Sequence, residues 1–87
     1  MSDTAAAADF LQAEYLLGCL TDERAALAQK IATHARILND VRTAGRAGAV
    51  SHHRWCIRRL EGEVRAVNKM IDALTRRFPD LALKREA

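Results

Sequence analysis

The chain has 87 residues, 49% of them hydrophobic, 29% charged and only 5% aromatic, enough for one small domain. Richness in Ala, Leu and Arg favours helix throughout, and two cysteines are too few for a disulfide framework. The net charge of +3 is uneven: residues 1–43 hold four basic and six acidic side chains, residues 44–87 ten and five. Such asymmetry suits an anionic partner for the second half, or two halves of one hairpin that attract each other.

Ser2, Asp3 or Thr4 can cap a first helix over about 5–43, and Asp9 with Gln12 offers a second start. Phe10, Leu17, Arg24, Ile31 and Leu38 recur every seven residues at heptad position a. Ala13, Leu20, Leu27, His34 and Val41 hold position d. Gly18 followed by Thr21, Asp22 and Glu23 can be read as a stop and restart, but the register passes through Gly18 without a skip, which favours one helix. Residues 44–49 lose the pattern and supply Gly45 and Gly48, a helix–helix connection.

The second helix is expected over about 50–78, capped by Ser51 or starting slightly before it. Val50, Ile57, Val64, Ile71 and Phe78 take position a; His53, Leu60, Val67, Leu74 and Leu81 take d. Pro79 ends it, because proline disfavours helical geometry at Phe78, and 79–87 reads as a frayed tail. The expected fold is therefore all-α, a coiled-coil-like antiparallel hairpin. The first helix is longer by roughly 15 Å at 1.5 Å per residue, so about its first ten residues should overhang. Phe10 and Leu11 there and Tyr15 just behind, with Leu16 and Ile37 at the g positions, make an apolar surface wider than one seam. That surface points to self-association, most simply a homodimer forming a four-helix bundle. The β-branched a and Leu d pattern of the second helix would also suit a parallel dimer.

Two polar residues interrupt the first seam. Arg24 is expected to face the region of residue 69, within reach of Asp72. His34 is expected to face Arg59 to Glu63, where Glu61 or Glu63 can accept its proton. Such residues more often fix register than build a site.

The strongest functional signal lies on the outside of the second helix. Trp55 falls at position f, away from the seam, among His52, Arg54, Arg58 and Arg59, and the basic stripe continues through Arg65, Lys69 and Arg76. Trp and Arg together are the residue types of binding hot spots, and the same pair suits phosphates and stacked bases. The competing reading packs Trp55 against the connection or a dimer partner and leaves the arginines as solvated surface. His52 and Cys56, four apart, share a helical face and form a two-ligand metal candidate that lacks the further donors of a complete site. No Ser–His–Asp grouping, Gly-rich phosphate loop or carboxylate pair supports catalysis.

Two local resemblances bear on these readings. Glu23-Arg24-Ala25-Ala26-Leu27-Ala28 resembles part of the first helix of the helical chorismate mutases, but Ala7 and Ala35 stand where that family carries cationic substrate ligands. Arg58-Arg59-Leu60-Glu61-Gly62-Glu63-Val64-Arg65-Ala66-Val67-Asn68-Lys69-Met70-Ile71 is similar to the first-helix motif of the copper-sensing repressor family. Those are small all-α DNA-binding oligomers, and His52 to Cys56 resembles their His-x-x-x-Cys ligand pair. Here the order of helix and ligand pair is reversed, and the likeness covers about a fifth of the chain.

The sequence thus points to a small non-enzymatic binding protein of regulator or inhibitor type, docking a macromolecule, with a protein partner first, through the Trp55–Arg face. A dimeric nucleic-acid-binding transcriptional regulator, metal-responsive through His52 and Cys56, is the alternative. No cofactor and no small-molecule substrate are implied. The absence of an apolar run near ~18 residues and of a basic leader at Met1 sets the expectation of a cytoplasmic protein without a membrane span.

Overall fold

The computed structural model describes residues 2–81, and side chains from residue 4 onward. Two helices, α1 (Ser2–Thr43) and α2 (Ala47–Arg77), pack side by side as an antiparallel hairpin. The shape is a rod of 65 × 22 × 15 Å, with a radius of gyration of 18.4 Å. A globular chain of this length would reach only about 12 Å. α1 begins at Ser2, ahead of the expected start near residue 5, so Ser2, Asp3, Thr4 and Asp9 all lie within the helix.

α1 runs through Gly18 without a break, as the heptad requires. Thr21 does not cap a new helix there; its hydroxyl donates to the Gly18 carbonyl, 3.0 Å, inside the continuous one. The end of α1 is set by the backbone. Gly45 takes φ +73°, its N–H reaches the Arg42 carbonyl at 3.1 Å, and the Arg46 N–H reaches Val41 at 3.0 Å. This pairing of 5→2 and 6→1 bonds around a left-handed glycine is a Schellman motif, and it satisfies carbonyls the helix leaves open. The turn is so short that α2 begins at Ala47, with Arg46 in the capping position. Ser51 is therefore not the cap, and Gly48 lies inside α2.

Nearly every residue at an a or d position from Phe10 to Leu81 is buried or half-buried. Arg24 is the exception: it is exposed and donates to Asn68 Oδ1 at 3.1 Å, so its partner is Asn68 and not Asp72. The buried core is Ala13, Leu17, Leu27, Val67, Ile71 and Leu81. Phe78 leaves the helix at φ −127°, and residues 79–81 make one more turn, closed by the Leu81 N–H on the Phe78 carbonyl at 3.0 Å. That turn places Leu81 in the core at 1% exposure. The start of the tail is thus a plug for the hairpin's open end, where a frayed segment was expected. Residues 82–87 lie outside the described residues.

The plug also alters the expected overhang. Phe10 meets Phe78 edge-on, centroids 6.4 Å apart, and packs against the core. An edge-on aromatic pair adds roughly 0.5–1.5 kcal/mol beyond the area it buries. Phe10 is therefore covered within the chain, while Leu11 and Tyr15, one turn apart on the outside of α1, stay exposed.

Candidate macromolecule-docking face

Trp55 sits on the third turn of α2 with 57% of its surface exposed. The Arg59 guanidinium, one turn on, lies 5.5 Å from the Trp ring centroid. This i, i+4 spacing brings the two together on a helix, and the ring's negative face attracts the cation. Arg54, Arg58, Arg65, Lys69 and Arg76 are all exposed on the same helix. Lys69 and Arg76 continue the f line of Trp55, while Arg58 and Arg65 hold b. Gly62, which completes the f line, leaves room beside it for the Arg65 guanidinium, 3.6 Å from where a Cβ would stand.

The packing adds something to this face that the pattern of α2 alone did not reveal. Trp55, Cys56, Arg59 and Glu63 line a shallow groove of ≈ 280 Å³ together with Lys30 and His34 of α1. Trp55 therefore borders the cleft between the helices as well as pointing outward. The signal in the sequence was the g register: Lys30 on α1 and Cys56 and Glu63 on α2 meet along one side of an antiparallel pair.

Behind the groove, the seam carries imidazoles where apolar residues are the rule. His34 Nδ1 and His53 Nδ1 are 2.9 Å apart, and their rings are tilted at 46°. One ring must donate and the other accept, so at least one stays neutral. His34 thus pairs with His53, not with Glu61 or Glu63. The His52 ring stands edge-on to His53, centroids 5.1 Å apart, and His52 Nε2 is 3.7 Å from Cys56 Sγ. Loss of hydration, then the neighbouring His34 and His52, hold the His53 imidazole below its ordinary range. Among the described residues no group of three or more His, Cys, Asp or Glu side chains could hold a metal ion. His52 and Cys56 remain a pair of donors.

The apolar candidates divide. Leu16 and Ile37 are exposed at the g positions, joined there by Met70 of α2. Leu16, Leu20, Met70, Ala73 and Leu74 line a second, mostly apolar groove toward the open end. No helix among the described residues is long and apolar enough to cross a membrane.

Comparison of the chain with protein-family models, with curated proteins and with solved structures finds no match. The local likenesses to chorismate mutases and to copper-sensing repressors extend to no family-level match.

Proposed function

We propose that this chain is a non-enzymatic binding protein, of regulator or inhibitor type, that docks an acidic protein surface through Trp55, Arg59 and the neighbouring Arg54 and Arg58. The observation that carries the reading is the Arg59 guanidinium over an exposed Trp55, 5.5 Å from the ring centroid. A large apolar ring in water is unfavourable in the free protein, and burying it against a partner recovers that cost. Holding Trp and Arg in one arrangement before contact lowers the entropy lost on docking. The exposed arginines around the ring supply steering toward an acidic partner. The cysteines, Cys19 exposed and Cys56 half-buried, are both free, which suits a cytoplasmic setting.

The basic line through Arg65, Lys69 and Arg76 supports a second reading, nucleic-acid binding with Trp55 as a stacking platform. Trp55 is the only tryptophan, so its fluorescence reports on the site alone. Affinity capture with wild type and Trp55→Ala tests the first reading: a specific protein should lose roughly thirtyfold or more in affinity when Trp55 is removed. Titration with duplex and single-stranded oligonucleotides tests the second. Binding that falls steeply with salt and is crippled in Arg58→Ala/Arg59→Ala makes the nucleic-acid reading the correct one.

A further inference from the structure

The two flanks of the hairpin are unlike. Along the e positions stand small or polar residues: Thr21, Ala28 and Ala35 on α1, Asn68 and Thr75 on α2. The Arg24–Asn68 hydrogen bond crosses the hairpin on that side. Along the g positions stand Leu16, Ile37 and Met70, exposed by 48%, 37% and 50%. The shallow grooves at the open end and at Trp55 both lie on this flank.

The order of residues on the α1 part of that flank is informative. It reads Leu16, Glu23, Lys30, Ile37, one per heptad, with Glu23 and Lys30 both exposed. The order is apolar, acid, base, apolar, and it is self-complementary only when reversed. A second copy laid antiparallel sets Leu16 against Ile37 of the second copy and Glu23 against Lys30 of the second copy. A parallel, in-register copy would set acid on acid and base on base. On α2 the same reversal leaves Glu63 close to the two-fold axis and near Glu63 of the second copy.

The area is also appropriate. Leu16 to Ile37 spans about 32 Å at 1.5 Å per residue, and the rod is 22 Å across its broader short side. The flank is thus roughly 700 Å² per copy, or about 1,400 Å² in all, within the usual range of specific interfaces. The free chain exposes 6532 Å², whereas a folded monomer of 9.7 kDa typically exposes about 5,100 Å².

We propose that the g flank is a homodimer interface on which a second copy of this chain docks antiparallel about a two-fold axis, with Leu16–Ile37 and Glu23–Lys30 contacts each formed twice. The result is a four-helix bundle with α1 packed on α1. The Trp55 line lies at its rim. This interface does not depend on the docking reading above, although it shares Lys30 with the Trp55 groove, and the protein alone suffices to test it.

Sedimentation velocity from about 1 to 200 μM should show a species of twice 9.7 kDa. Leu16→Glu should weaken association roughly a hundredfold, and Glu23→Lys or Lys30→Glu roughly tenfold each, because every change is made twice in a symmetric dimer. The double exchange Glu23→Lys/Lys30→Glu should restore it. Orientation is read by oxidation in a Cys19→Ser/Cys56→Ser background. Mixed Leu16→Cys and Ile37→Cys chains should cross-link to each other. Neither should cross-link to itself, since like positions then lie about 32 Å apart. Helicity by circular dichroism checks that each variant is folded. A wild type that stays monomeric at 200 μM, or a dimer that ignores Glu23→Lys and cross-links Leu16→Cys to itself, overturns the proposal.

Discussion

The two ends of the hairpin are built from the same heptad and behave as different materials. From the middle of the hairpin to its open end, Ala13, Leu17, Leu27, Val67, Ile71 and Leu81 are all buried, with Phe10 and Phe78 closing the seam. Toward the connection, Ile31, His34, Leu38, Val41, Val50, His53 and Ile57 occupy equivalent positions and none is fully buried. The open end is plugged by the turn that carries Leu81, whereas the connection is a tight backbone turn with no apolar side chain inserted. The His34–His53 layer also takes the place of apolar packing. Stability is concentrated at one end, and Trp55, Cys56 and the three imidazoles at the other.

Large-to-small substitutions should break this contrast most visibly. Leu17→Ala or Ile71→Ala should cost about 2–5 kcal/mol, and Ile57→Ala less than half of that, in urea denaturation followed by helicity. Leu81→Ala should fall with the first group although it lies beyond α2. Equal losses at Ile57 and Ile71 would remove the distinction between the two ends.

Acid should next act on the connection end. His53 titrates below its ordinary value of 6.5 when folded, so as pH falls the unfolded chain takes up its proton first. The contribution of this layer is complete above about pH 6.5 and is lost as pH falls through the lowered folded value. Thermal melting at pH 7.5 and 5.5 should therefore show a lower Tm in acid. His34→Leu/His53→Leu should shrink that difference, because both polar partners are replaced together and none is left unpaired. An unchanged pH dependence in the double variant would place the sensitive group elsewhere.

Glycine substitutions sharpen the comparison with smaller effects of opposite sign. Gly45→Ala should destabilise by roughly 1–2 kcal/mol, since alanine at φ +73° is strained. Gly18→Ala should stabilise by about 0.5–1 kcal/mol, because α1 is continuous there and a Cβ would meet nothing within 4 Å. A loss at Gly18 would mean that a break in α1 is needed in solution.

Much of the architecture was legible because burial follows periodicity. The residues spaced by seven on each helix are the ones the hairpin covers, with Arg24 the exception, and a long arginine can reach Asn68 from an exposed position. The Trp55–Arg59 pair was legible for a similar reason: residues four apart on a helix are neighbours whatever packs behind them. The groove that joins Trp55 to Lys30 and His34 was not, since it belongs to two helices and depends on how far one has slid along the other.

The sequence by itself determined two helices, the face each buries and the outward direction of the basic line, because these depend on angular position around one helix axis. Tertiary structure alone decided axial register. Sliding one helix past its partner by a turn keeps every apolar residue in the seam, so the heptad is nearly silent about which layer meets which. The Schellman turn at Gly45 and the Leu81 plug fix that register from the two ends. They bring His34 to His53 where a glutamate was expected, and cover Phe10 with Phe78 where an overhang was expected.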